Sequence, residues 1–224
     1  MNKNVIIFLR NIGVLKKEEL SAPFSYNIYD YDLKKNADKI DVHKNFLYSV
    51  LQEENNRLNI IEGKTTQIIS QTSIVFSLVG LIIPILIDKF SSINVFVKVI
   101  IILFLLVGFF FYLNSISNAL KNFNLKKYKY PYSNPSNVID FKDKTIEEFN
   151  SEIVRDYLYS INKTIQINNV KGSNLISAYL CFKIANIFTG IIILIICSLI
   201  LFVNSNKEEG KNIQVVNKTI SIKN

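Results

Sequence analysis

The chain has no tryptophan, one histidine, two cysteines and seven glycines. Each scarcity closes off a class of function. The lone histidine, His43, has no Cys or carboxylate cluster around it at ligand spacing, so it reads as a surface residue and not a metal ligand. Cys181 and Cys197 stand sixteen residues apart, roughly 24 Å along one helix, too far to bridge. They read as small apolar fillers. Seven glycines leave little room for a phosphate-cradling loop, and there is no Gly-x-Ser-x-Gly and no Cys-x-x-Cys. The Glu53–Glu54 and Glu147–Glu148 doublets fall on charged helix faces and read as solvation. No catalytic, cofactor-binding or metal-ligating residue is therefore expected, and the chain is not expected to be an enzyme. The start, Met1 to Arg10, carries only the short run Val5–Leu9, whereas a secretory signal needs about 7–15 apolar residues, so none is expected there. Heavy use of Asn, Lys and Ile suits an AT-rich bacterial genome.

What is present is a division of composition. Of 224 residues, 49% are hydrophobic and 20% charged, but uncharged apolar runs alternate with stretches rich in Lys, Asn, Glu and Asp. That is not the composition of one soluble globule. The formal charge is +8, from 26 basic and 18 acidic residues. Beside such apolar runs, the basic excess points to a membrane surface and away from nucleic acid. A span needs about 20 mostly apolar residues. Thr65–Ile87, Val99–Leu120 and Ile184–Val203 carry no charge, and they predict three transmembrane helices, at 67–88, 95–114 and 184–203. The first two are joined by Asp88–Asn94 alone, a tight hairpin. Lys98 and Lys183 lie near span ends, where they can snorkel to the interface. Near the spans, Arg57, Lys64, Lys121, Lys126, Lys127, Lys129, Lys171 and Lys183 lie on one side, against Lys89, Lys98, Lys207, Lys211 and Lys218 on the other. This bias predicts a multi-pass inner-membrane protein with a cytoplasmic N-terminus.

The remaining segments are read from their periodicity. Residues 37–66 predict a cytoplasmic amphipathic helix with Ile40, Leu47, Leu51, Leu58 and Ile61 on one face. Within 115–183, a cytoplasmic loop leads to a second helix. Thr145 and Glu148 fit a capping box at its start, and Phe149, Ile153, Tyr157, Ile161 and Ile165 form its apolar stripe. Gly172 and Ser173 are expected to loosen it. These two helices either pack as a stalk, within or between chains, or lie on the membrane. The loop "KKYKYPYSNPS" at 126–136 reads as a positive juxtamembrane segment, as a contact for lipid headgroups, or as a nucleotide contact by stacking and charge. Residues 1–36 read as short strands or as a piece docked on the stalk. Residues 204–224 form a polar tail on the outer side, strand-like in "IQVVNKTISI" and in need of a partner if ordered.

The first span is polar in its first half. Gly63, Thr66, Ser70, Ser73, Ser77, Gly80 and Pro84 recur at steps of three and four, an unbroken stripe of small residues. Ile69, Ile74, Val75, Phe76, Leu78, Val79, Leu81 and Ile82 occupy the other faces. Small residues let helices approach closely, and hydroxyls bond across them. The stripe therefore predicts contact with another helix or with water, among the spans of one chain or between copies in a bundle or pore. Pro84 is expected to kink the outer end. A weaker stripe, Lys183, Asn186, Gly190 and Cys197, marks the third span.

An amphipathic helix carrying "RLNIIEGKTTQII" that enters a two-span hairpin, then "NSEIVRDYLYSINKTIQINNVKGSNLISAYL" leading to a further span, resembles the SLATT-type and Pycsar-type membrane effectors of bacterial antiphage systems. The similarity covers about Lys44 to Val203, with Arg57, Ile61, Lys64, Asn169 and Lys171 at matching positions. It implies an effector held quiet until a nucleotide signal or a sensor protein triggers it to damage the inner membrane. Together these readings predict an all-α integral membrane protein that works on the lipid bilayer as a homo-oligomer, without a cofactor. The rival reading is a non-lytic accessory or anchoring subunit of a membrane complex.

Overall fold

Long helices form where the sequence offers no stop. A computed structural model describes residues 3–15, 26–31, 37–90, 94–124, 128–131 and 135–221, with the backbone alone at 29, 37, 82, 85–90 and 200–221. Among the described residues there are five α-helices, so the fold class is all-α. They are α1 (Lys3–Asn11), α2 (Ile40–Phe90), α3 (Val95–Leu120), α4 (Ser136–Asp140) and α5 (Ile146–Ser221). α2 has 51 residues and meets its one proline only at Pro84. Gly63 and Gly80 lie inside it, each costing about 1 kcal/mol against alanine, and the rest of the helix carries them. α3 opens on Asn94, whose Oδ1 accepts from the Phe96 N–H at 3.0 Å, an N-cap bond. α5 opens on the predicted capping box: the Thr145 N–H donates to Glu148 Oε2 at 3.1 Å, and the Glu148 N–H donates to Thr145 Oγ1 at 3.2 Å.

Two helices are long and apolar enough to cross a membrane, at Val95–Phe123 and Ile146–Leu199. The expected first span, 67–88, is the last part of α2, and its side chains at 82 and 85–88 lie outside the described residues.

The chain divides into two compact units: Met1–Thr72 with Asn114–Cys181, and Ser73–Leu113 with Phe182–Asn224. In the first unit, α2 and α5 run parallel at a steady register. Lys44 meets Asn150, Tyr48 meets Tyr157 and Arg57 meets Asn169. The end of α3 and the 3-10 turn Lys121–Phe123 that follows it run against both, with Asn122 bonding Thr65 and the Lys171 carbonyl. The predicted apolar stripes face inward: Ile40, Ile61, Ile161 and Ile165 are buried, and Leu47, Leu51, Leu58, Phe149, Ile153 and Tyr157 are half-buried. The two helices are thus a stalk packed within one chain. In the second unit, α3 runs antiparallel to α2 and α5. Phe76 meets Phe109 and Tyr112, and Phe188 meets Phe104 and Phe111.

Three segments differ from their expectations. α5 runs unbroken through Gly172 and Ser173, because Gly172 lies in the packed interface, where a Cβ would stand 3.8 Å from Ile61 Cδ1. The tail continues as helix to Ser221 and not as a strand, since Gly210 alone does not stop a preformed helix. Near the N-terminus the run Val5–Leu9 is helical. The following residues dock on the stalk, where Tyr26 donates its hydroxyl to the Leu158 carbonyl at 2.8 Å and Arg155 donates to the Tyr31 carbonyl at 3.2 Å. His43 is not a free surface residue. Its Nδ1 pairs with the Tyr31 hydroxyl at 3.0 Å, and the rings meet edge to face.

Candidate functional site

The stalk is polar where an all-apolar core would be simpler. Thr65 and Thr72 on α2, Ser115, Asn118 and Asn122 near the end of α3, and Thr164, Asn168 and Lys171 on α5 are all buried. Their steps of three, four and seven keep each set on one helix face. At the centre is Lys171, whose side chain is 4% exposed. Its ammonium donates to Glu62 Oε1 at 2.6 Å and stands over the rings of Tyr128 and Tyr130, at 5.2 and 5.3 Å from their centroids. Burial alone would lower the Lys171 pKa, but Glu62 and Tyr130 together raise it above its ordinary value. Burial raises both tyrosines, with Asn174 and Lys171 opposing it at Tyr128 and Lys171 opposing it at Tyr130. Lys171 is therefore a cation and the phenols are neutral over the whole physiological range.

Around this pair the amides form a chain of bonds. Asn122 Nδ2 donates to Thr65 Oγ1 and to the Lys171 carbonyl, both at 3.1 Å. Asn174 Nδ2 donates to Asn122 Oδ1 at 3.0 Å and to the Tyr128 hydroxyl at 3.2 Å. One turn earlier, Asn168 Nδ2 donates to the Glu54 carbonyl and to Glu54 Oε2, both at 2.9 Å, while Arg57 donates to Asn169 Oδ1 at 2.8 Å. The layer is incompletely satisfied. Among the described residues, the buried Asn168 Oδ1 and Ser177 Oγ have no hydrogen-bond partner. A buried polar layer specifies the register of the helices, and each unpaired member in it costs stability. Among the described residues, this layer holds no nucleophile beside a base and no paired carboxylates. Its chemistry is that of a charge-locked joint between the helices.

The structure brings together most of the positions on which the family resemblance rests. Arg57 binds Asn169, Ile61 packs under Gly172, and Lys171 pairs with Glu62, which sequence reasoning missed. Lys64 is exposed. Of the loop at 126–136, Tyr128 folds inward and is buried, whereas 126–127 and 132–134 lie outside the described residues.

The small-residue stripe lies elsewhere. α2 packs through Ile61, Thr65, Ile68 and Thr72, with Val75, Phe76 and Val79 half-buried in line with them. Gly63, Thr66, Ser70, Ser73, Ser77, Gly80 and Pro84 are all exposed. At about 100° per residue the stripe lies roughly a third of a turn round the helix from the packed face. Nothing stands within 4 Å of a Cβ built on Gly63 or Gly80. Among the described residues, the stripe lies off the face through which α2 packs, with Gly80 at the border of a cavity between the helices. Two of its hydroxyls turn back into the helix, Thr66 to the Glu62 carbonyl and Ser77 to the Ser73 carbonyl, both at 3.1 Å.

In the second unit, Asn186 of the weaker stripe accepts from the Tyr112 hydroxyl at 2.8 Å, and Thr189 shares that hydroxyl at 3.1 Å. Lys183, Gly190 and Cys197 are exposed. An apolar cavity of about 390 Å³ opens between α2, α3 and α5, bounded by Phe76, Gly80, Gly108, Phe109, Tyr112 and Ile192 among others. Cys181, in the first unit, is fully buried and donates to the Ile12 carbonyl at 3.4 Å. Burial pushes its thiol up to about 11, against the opposing pull of Asn118 and Lys121, so it is inert at neutral pH.

No protein-family model matches the chain, and neither a curated protein nor a solved structure is similar to it.

Proposed function

We propose that this chain is a bacterial inner-membrane effector of antiphage defence that self-associates through its first span and permeabilises the membrane when triggered. In this reading α2, α3 and α5 cross the bilayer at 67–88, 95–114 and 184–203, with the stalk and the N-terminus in the cytoplasm. One observation carries it: the small-residue stripe on α2 is exposed along its whole length in the single chain, and a Cβ at Gly63 or Gly80 would meet nothing. Within a bilayer such a stripe suits close approach of a second helix, and a second copy of the chain supplies an identical one. The charge-locked layer around Lys171 is then the joint that holds the quiet state. A nucleotide signal or a sensor protein opens it by binding the open arrangement more tightly than the closed one. Opening the stalk rotates the stripes into a wider, wetter bundle. No step requires a cofactor, and the chain does no covalent chemistry.

The test is membrane potential in growing cells after induced expression, read with a voltage-sensitive dye. The native chain, with its neighbouring genes co-expressed, is expected to collapse the potential, and Gly80→Leu to preserve it. Full polarisation with the native chain under those conditions would reject the effector reading in favour of a non-lytic anchoring subunit.

A further inference from the structure

α1 is amphipathic in a way the rest of the first unit does not use. Val5, Ile6, Phe8 and Leu9, together with Ile12 just beyond the helix, fall on one arc. Lys3, Asn4, Arg10 and Asn11 fall on the other, with Ile7 among them. Yet no residue of α1 is buried. Val5 is 45% exposed and Phe8 42%, and Ile7 and Val14 are equally open. Ile6 and Leu9 are half-buried against the unit, so Val5 and Phe8 are the part of the apolar arc that faces outward.

The end of this helix is held firmly. Ile12 is 1% exposed, and its carbonyl accepts from Asn118 Nδ2 at 2.8 Å and from Cys181 Sγ at 3.4 Å. The Gly13 carbonyl accepts from Lys121 at 3.4 Å. Gly13 has φ +74°, and a Cβ there would overlap the Asn118 carboxamide, so only glycine fits this turn. The anchors lie at the cytoplasmic ends of two proposed spans. Asn118 is four residues past 114, Lys121 seven past it, and Cys181 three before 184, or roughly 6, 10 and 5 Å of helical rise. In the membrane reading, the anchors of α1 thus stand within about two helical turns of the cytoplasmic ends of those spans.

We infer that α1 is an in-plane membrane helix, seated in the headgroup–acyl boundary of the anionic cytoplasmic leaflet. Val5 and Phe8 enter the acyl edge, and Lys3 at the exposed start of the helix meets lipid phosphates. Nine residues with three half-exposed apolar side chains, Val5, Ile7 and Phe8, suit a lipid boundary, whereas a stable protein interface needs a far larger face. The inference rests on the membrane reading above.

The absence of tryptophan makes a direct test available. Phe8→Trp gives the full chain a single indole, reconstituted in vesicles of phosphatidylcholine and phosphatidylglycerol whose acyl chains are brominated at defined depths. Leu106→Trp, exposed on α3, reports the span. Val42→Trp, exposed on α2 and 25 residues before Gln67, roughly 37 Å along the helix, reports the water phase. Fluorescence of the Phe8→Trp chain is expected to shift blue and to be quenched most by bromines near the headgroup end. Leu106→Trp should be quenched by mid-chain bromines, and Val42→Trp by none. Quenching in Leu106→Trp without quenching in Phe8→Trp overturns the inference and leaves the membrane reading standing. Blue emission from Phe8→Trp without quenching means a protein surface covers α1, and also overturns it. Quenching in neither variant removes both readings. Val5→Trp repeats the test if Phe8→Trp disturbs docking.

Discussion

Removing Glu62 should cost the stalk more than removing the lysine it pairs with. Glu62→Ala leaves the Lys171 ammonium, 4% exposed, beside Tyr128 and Tyr130 and without an anionic partner among the described residues. Breaking a fully buried pair from one side costs about 3–5 kcal/mol. Glu62 is itself 38% exposed, so water reaches the gap and the expected cost falls to about 2–3 kcal/mol. Lys171→Met removes the charge, keeps a stem of similar length in place, and leaves Glu62 facing water, for about 1 kcal/mol or less. The double variant should resemble Lys171→Met, giving a coupling energy of about 2–3 kcal/mol. Native-state hydrogen exchange of the purified full chain reads these values on peptides covering residues 160–175. Exchange of the slowest amides should accelerate roughly 30- to 150-fold in Glu62→Ala, and severalfold at most in Lys171→Met. Equal acceleration in the two single variants, or none in Glu62→Ala, would refute the charge-locked joint.

Alkaline pH should act on the same layer. Lys171, Tyr128 and Tyr130 all hold their protons more tightly in the folded chain than their ordinary values of 10.5, 10.0 and 10.0. Their contribution is therefore complete below about pH 10 and is lost as pH rises through the raised folded values. Exchange protection of the stalk should be flat from neutral pH to about 9 and fall above 10, with a shallower fall in Lys171→Met. In the second unit, Tyr112→Phe removes the hydroxyl shared by Asn186 and Thr189. It should destabilise the helix contact by about 0.6–1.7 kcal/mol, read by denaturation in mixed detergent micelles. An effect well below this range would mean that the hydroxyl only fills space.

The sequence announces this architecture through its periodicities. Ile40, Leu47, Leu51, Leu58 and Ile61 mark the inner face of α2 because burial needs a repeat close to 3.6 residues, and the Thr145–Glu148 capping box marks the start of α5 to the residue. The polar layer was harder to read. Lys171 looks like one more positive-inside lysine until its neighbours are known, because pairing with Glu62 depends on a register between helices more than a hundred residues apart. The available signal was the recurrence of Ser115, Asn118 and Asn122, and of Thr164, Asn168 and Lys171, at helical steps inside otherwise apolar faces. The small-residue stripe was legible as a pattern, but its direction was not. Spacing alone does not say whether a face meets its own chain or another, and the packed face proved to be the neighbouring one through Thr65, Ile68 and Thr72. The tail misled because β-branched residues in "IQVVNKTISI" favour strands weakly, and a preceding helix of more than fifty residues outweighs that preference.

The central claim is that copies meet through the stripe on α2, and disulfide cross-linking in native membranes tests it most directly. In a Cys197→Ser background, the remaining Cys181 is fully buried, so a cysteine placed at Ser77 or at Leu78 is the accessible thiol. Ser77 is on the stripe and Leu78, 54% exposed, is on another face. The account predicts that Ser77→Cys yields a covalent dimer under mild oxidation, that Leu78→Cys does not, and that adding Gly80→Leu abolishes the dimer. Monomer at both positions, or equal dimer at both, would contradict it.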